Sequence, residues 1–205
     1  MKSIHFLCGM NHFMAPLRYL SIALLLLVTG IPGDSSAQSF TVGDNVVGLG
    51  LGIGGNYANT TSQSPAFGLS YEKGMMDLGP GVLGIGGYLG YKSAAYKARY
   101  LNYEYDWRYT YLILGVRGAW HYNEWHGSDQ WDTYGGLMLS YNSVSWKDNT
   151  SYPNGALVVS SGNASSGVGL SGFLGGRYYF NSNWAAQAEL GFGSAVLSLG
   201  VAYKF

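Results

Sequence analysis

The sequence predicts an all-β chain that forms a closed eight-stranded antiparallel transmembrane up-and-down β-barrel. Three observations carry that expectation. After residue 37 the apolar pattern repeats every second residue, and no 3.6-residue pattern runs for as many as ten residues. The alternating runs number eight, an even count that returns both ends of a barrel chain to one side. They reach roughly 10 to 15 residues, against roughly 5–6 in a soluble strand and the roughly 9–11 that cross a bilayer at a tilt.

Each run pairs a large apolar face with a small one. The first sets Val47, Leu49, Leu51, Ile53 and Tyr57 against Gly48, Gly50, Gly52 and Gly54. The second sets Phe67, Leu69 and Tyr71 against Gly68, Ser70 and Glu72. The third sets Leu83, Ile85, Leu89 and Tyr91 against Gly84, Gly86, Tyr88, Gly90 and Lys92. In the fourth, Leu112 to Tyr122 alternate with Ile113, Gly115, Arg117, Ala119 and His121. Leu137, Leu139 and Tyr141 carry the fifth, and Val168, Leu170, Leu174 and Tyr178 the sixth. Trp184 to Phe192 and Leu197 to Phe205 complete the set. Asp77–Pro80 and Asn181–Asn183 read as tight turns. The segments 93–108 and 147–166 read as long polar loops at the opposite end.

Composition agrees and excludes other classes. Only 11% of residues are charged, against about 25% in a soluble domain. Eighteen tyrosines and six tryptophans rule out a disordered chain. A zero net charge argues against a nucleic-acid partner. A single cysteine, Cys8, leaves no disulfide framework. A soluble barrel would point its large residues inward and carry more Lys and Glu outside. Here the aromatics Tyr57, Tyr71, Tyr91, Trp120, Tyr122, Tyr178, Trp184 and Tyr203 fall at strand ends on the apolar face, as a girdle at a membrane interface does.

Residues 1–37 read as a signal peptide. Arg18 precedes the apolar stretch Leu20–Val28, and Ser35-Ser36-Ala37 offers a small-residue cleavage site. The apolar stretch is too short to span a bilayer, which takes about 20 residues. Residues 38–205 then form one barrel domain.

The small face carries a sparse polar set expected to point inward. It includes Glu72, Tyr88, Lys92, Arg117, His121, Met138, Asn142, Phe173, Arg177, Tyr179, Gln187 and Glu189. A lumen closed by eight strands is just wide enough for side chains, and charges in it must pair. Glu72, Lys92, Arg117, Arg177, Gln187 and Glu189 are therefore the expected lumen network. Arg177 and Glu189 flank one short turn at similar distances and are the expected pair, with Arg117 and Glu72 completing the network. A narrow channel lined by the same residues is the alternative.

No cofactor or metal motif is present. Paired glycines such as Gly86-Gly87 lack the GxxxxGK arrangement of a phosphate loop. His121, Glu124, His126, Asp129 and Asp132 cluster in sequence without metal-ligand spacing and read as solvated turn residues. A lipid-acyl enzyme would need a serine and a histidine near the outer rim, and the two histidines after residue 37, His121 and His126, sit at the inner end. No catalytic residue is expected. The loop 93–108 mixes charges with aromatics, which fits either recognition of a ligand or contact with lipid headgroups.

The C-terminal stretch GGRYYFNSNWAAQAELGFGSAVLSLGVAYKF, 175–205, resembles the last strands of small bacterial outer-membrane barrels of the opacity, OmpX and OmpA-barrel-like group, as found in Bacteroidetes-type organisms. Val201, Tyr203 and Phe205 resemble the signal read by the outer-membrane assembly machinery. The resemblance implies an integral outer-membrane protein with both mature termini in the periplasm, in contact with outer-membrane lipid and lipopolysaccharide. It implies an envelope-structural or surface-interaction role, with a surface ligand or envelope protein meeting loops 93–108 and 147–166. A small-solute channel and a lipid-modifying enzyme are the competing functions.

Overall fold

Period-two alternation in these runs leaves the backbone no choice but extended pairing, because only a sheet puts every large residue on one side. A computed structural model of the chain describes residues 39–54, 62–100, 103–150, 160–164, 166–191 and 194–205. The leader 1–37 lies outside the described residues, as does Tyr57. The strands are β1 (Asn45–Ile53), β2 (Ser62–Gln63), β3 (Ala66–Leu78), β4 (Gly81–Tyr100), β5 (Tyr103–His121), β6 (Trp131–Asp148), β7 (Ser160–Asn163), β8 (Gly167–Tyr179), β9 (Trp184–Gly191) and β10 (Leu197–Lys204). Among the described residues there is no helix.

The wall is a ring of eight antiparallel strands: β1, β3, β4, β5, β6, β8, β9 and β10, closed where β10 returns to β1. The short β2 and β7 extend it, pairing with β4 and β6. Closure brings Asn45 beside Phe205, whose backbones exchange two hydrogen bonds at 3.2 and 2.9 Å. This defines the terminal end of the barrel, which also holds the tight turns at Gly79-Pro80 and 180–183. In the latter, Asn181 Oδ1 accepts from the backbone N–H groups of Asn183 and Trp184 and so holds the turn.

The outer wall is apolar and exposed from one rim to the other. Leu49, Leu69, Leu89, Leu114, Val116, Leu139, Leu170 and Leu190 all lie open on it. Aromatics belt its terminal rim in touching pairs. Trp120 stacks on Tyr122 at 5.3 Å, Trp131 meets Tyr178 at 5.1 Å, and Trp184 meets Tyr203 at 4.9 Å. At the distal rim Phe67, Tyr91 and Leu112 stand in one register row. Beyond that row the outward positions turn polar: Ser93, Thr110 and Ser145, then Arg108 and Lys147, then Lys97 and Asp106.

One correction concerns this distal part. The expected loop 93–108 is strand over 93–100 and 103–108, where β4 and β5 stay paired from Val82–His121 up to Tyr100–Tyr103; 101–102 lie outside the described residues. Aromatic and charged residues alternate there, and their polar composition masked a period of two. Part of 147–166 is likewise strand, in β6 and β7, while 151–159 lies outside the described residues.

Glycine makes the inside habitable. Gly86 stands in register between Glu72 of β3 and Arg117 of β5. A Cβ there would run into the Tyr71 carbonyl oxygen and the Glu72 backbone. The bare position is what lets two long charged side chains converge from either side.

Candidate functional site

The inward positions of β3, β5, β6, β8 and β9 bring a charge network into the terminal half of the lumen. Arg177 donates from Nη2 to Glu72 Oε2 at 2.6 Å and from Nη1 to Asp132 Oδ2 at 3.2 Å. The remaining oxygens of the two carboxylates face His121, with Nε2 at 2.8 Å from Glu72 Oε1 and Nδ1 at 2.7 Å from Asp132 Oδ1. Arg177, Glu72, His121 and Asp132 thus form a closed ring. Both imidazole nitrogens face carboxylate oxygens, so the ring is satisfied when both donate and His121 carries a positive charge. Arg177 Nε donates to Gln187 Oε1 at 3.2 Å.

A second cluster sits beside the first. Arg117 donates to both oxygens of Glu189, at 2.6 and 3.4 Å. The Tyr134 hydroxyl donates to Glu189 Oε1 at 2.8 Å while its ring lies 4.6 Å from the Arg177 guanidinium. Phe173 lies against the other guanidinium, 3.9 Å from Arg117 Cζ. Two arginines and a doubly protonated histidine balance three carboxylates. Such balance is what a dry interior requires, since an unpaired buried charge costs several kcal/mol.

The terminal mouth is closed by the chain that precedes β1. Phe40 is buried, stacks on His121 with centroids 4.0 Å apart, and lies 6.0 Å from the Arg177 guanidinium. It packs with Val46, Tyr179, Ala185 and Ala202. Asp44 fastens this segment, accepting from Thr41 N–H at 2.9 Å and pairing with Lys204 at 3.5 Å. On the distal side, Tyr88 and Ser194 join their hydroxyls at 2.9 Å. The cavity between, lined by Tyr88, Arg117, Phe173 and Glu189, holds about 40 Å³, enough for bound water and little else.

The structure rearranges several expected roles. Glu72, Arg117, Arg177, Gln187 and Glu189 do meet, but Arg177 pairs with Glu72 and Asp132, and Glu189 with Arg117. The register explains the exchange: Arg177 stands opposite Gln187, and Glu189 opposite Gly175. Lys92 lies apart, buried toward the distal end, with Nζ donating to the Gly54 carbonyl at 3.0 Å. His121 points inward, as its place in the small-face set predicts, and neither it nor Asp132 is a solvated turn residue, because both are fully buried in the ring. Their inward parity, at the last position of β5 and the second of β6, carried that signal. The role of Phe40 has no signal in the alternation, since it precedes the first run. His126 accepts from the Ser128 N–H in the turn. Among the described residues no group of three His, Cys, Asp or Glu is placed to hold a metal ion. Val201, Tyr203 and Phe205 lie exposed on the outward face of the closing strand and its end.

No protein-family model matches the chain, and no curated protein matches it by sequence. Solved structures do match. The outer membrane protein OprG from Pseudomonas aeruginosa superposes with a TM-score of 0.54 at 15% identity, over 82% of this chain and 99% of that one. The N-terminal β-barrel domain of Pseudomonas aeruginosa OprF gives 0.48 at 14%, over 81% and 100%. Ail, the attachment invasion locus protein of Yersinia pestis, in complex with the heparin analogue sucrose octasulfate, gives 0.48 at 16%, over 80% and 100%. The strand ring and the likeness to OprG together establish the fold: this chain is a closed eight-stranded up-and-down β-barrel, the architecture of a small outer-membrane protein.

Proposed function

We propose that this protein is an integral outer-membrane barrel that does its work at its distal end, in a surface-interaction role, and conducts nothing through its lumen. The observation that carries the reading is the filled interior. The charge ring, the Arg117–Glu189 pair and Phe40 occupy the cross-section of the terminal half, and the cavity above them holds about 40 Å³. Hydrated ions need a continuous wet path, and a neutral, internally paired network offers them none. Only the distal end, where β4, β5 and β6 rise past the rim, is left to meet other molecules.

In this reading residues 1–37 are a signal peptide removed on export, and both mature termini face the periplasm. The apolar wall meets lipid, with lipopolysaccharide at the outer rim. Val201, Tyr203 and Phe205 form the signal read by the assembly machinery. No catalytic role is assigned, since the two histidines of the mature chain sit in the ring and in a terminal turn. Planar-bilayer recording tests the reading. The expected result is no stable unitary conductance from folded protein, and a reproducible open channel overturns it.

A further inference from the structure

Strand parity separates two faces on the part of the sheet that rises past the distal rim. Tyr96 stands opposite Trp107, and Tyr109 opposite Trp146. All four share the face of Lys92 and Ile113, which point into the lumen. They therefore look over the barrel mouth and away from the surrounding lipid, so headgroup contact does not account for them. The outward face of the same strands carries Lys97, Asp106, Arg108 and Lys147. Tyr96 and Trp107 remain 39% and 43% exposed although they sit on the side that is buried lower down. Trp146 lies over β7 because residue 162 is glycine: a Cβ there would sit 3.0 Å from the indole nitrogen.

Asp148 completes the row, directly opposite Trp107 on the same face. Its Oδ1 is held by Thr150, which donates from its backbone N–H at 2.9 Å and from its hydroxyl at 2.5 Å. A carboxylate held in place beside exposed aromatic rings is an acceptor set for hydroxyl groups next to a platform for flat C–H faces. Lys92, the cation on this face nearest the patch, is buried below it against the Gly54 carbonyl.

We propose that this aromatic face binds a neutral saccharide, stacking its rings on Tyr96 and Trp107 and donating a hydroxyl to Asp148. The proposal rests on the reading that the distal end is outside the cell. Charge decides the class of sugar. The cations level with the patch, Lys97, Arg108 and Lys147, stand on the opposite face, and the one carboxylate among the described patch residues would repel a sulfated or phosphorylated glycan. Aromatic rings with polar tips give contact area at low entropic cost, which suits an amphipathic ligand.

The test uses folded full-length mature protein in nanodiscs. Tryptophan fluorescence and saturation-transfer NMR follow titration with maltohexaose, an N-acetylglucosamine tetramer and a galactose oligomer, with a heparin fragment as the anionic comparison. The expected result is binding of at least one neutral oligomer and not of the heparin fragment. Trp107→Ala or Tyr96→Ala should weaken binding about tenfold or more, Trp107→Phe should retain most of it, and Lys147→Gln should leave it unchanged. A heat-shifted gel band confirms that each variant is folded. Absence of binding by all three neutral probes, or binding only of heparin lost in Lys147→Gln, overturns the proposal. A cysteine label at Lys97→Cys on intact cells keeps the two readings apart. Labelling without sugar binding sinks this proposal alone, and failure to label sinks the orientation beneath it.

Discussion

Arg177 donates to Glu72 at 2.6 Å across 105 residues of sequence, and both side chains are almost wholly buried. That one contact joins β8 to β3 across the lumen, and it fixes which carboxylate serves which arginine. The pairing is testable by double-mutant cycles on urea unfolding from lipid vesicles. Arg177→Met and Glu72→Gln should couple by about 1–3 kcal/mol, and so should Arg117→Met and Glu189→Gln. Arg177→Met with Glu189→Gln should couple less than either. Arg177→Met alone should cost about 3–5 kcal/mol, because it strands two buried carboxylates.

That swapped pairing shows where sequence reading reached its limit. Period two assigned every one of these side chains to the lumen, because the large and small faces of each run are chemically distinct. It could not say which inward residue sits level with which across the barrel. Level is set by strand stagger, which depends on closure of β10 onto β1 and on the register shift between Gly74 and Met76. The distal hairpin hides its strands for a different reason. Its outward face is wet, so its alternation is aromatic against charged and looks like a loop by composition alone.

Phe40 should matter as much as a strand residue although it lies outside the sheet. Its ring covers His121 at 4.0 Å and belongs to the cluster with Val46 and Tyr179. Phe40→Ala should lower unfolding stability by about 3 kcal/mol, the lower end for a buried phenylalanine, while Phe40→Leu should cost less than half of that. The proposed cleavage after Ala37 would keep Phe40 in the exported protein. Intact mass should therefore place the mature N-terminus at Gln38, and a start beyond Phe40 would remove the plug.

Neighbouring glycines should respond in opposite ways to the same substitution. Gly86 faces the lumen, where a Cβ would collide with backbone atoms of Tyr71 and Glu72. Gly87 faces outward, and its nearest neighbour to an added Cβ is the Gly115 carbonyl at 3.8 Å. Gly86→Ala should fail to give the compact, heat-shifted gel species or give it in low yield. Gly87→Ala should fold as the parent does. Equal behaviour of the two variants would mean that the inward face is less crowded than the register implies.

The height of the apolar wall sets the last prediction. Val116 lies midway between the distal row at Leu112 and the terminal belt at Trp120, and it is 64% exposed on the outer wall. Thr110 points the same way one outward position beyond Leu112, level with Ser93 and Ser145. If the wall between those rows is in hydrocarbon, an arginine at Val116 meets the midplane and an arginine at Thr110 meets the interface. Val116→Arg should then cost about 2–4 kcal/mol and Thr110→Arg about 0–1 kcal/mol, in urea unfolding from lipid vesicles. A soluble barrel would reverse the ranking or flatten it, because an arginine on a watered outer wall is nearly free wherever it stands. The depth dependence thus reads out membrane placement directly, and it does so without reference to the lumen network or to any ligand at the distal end.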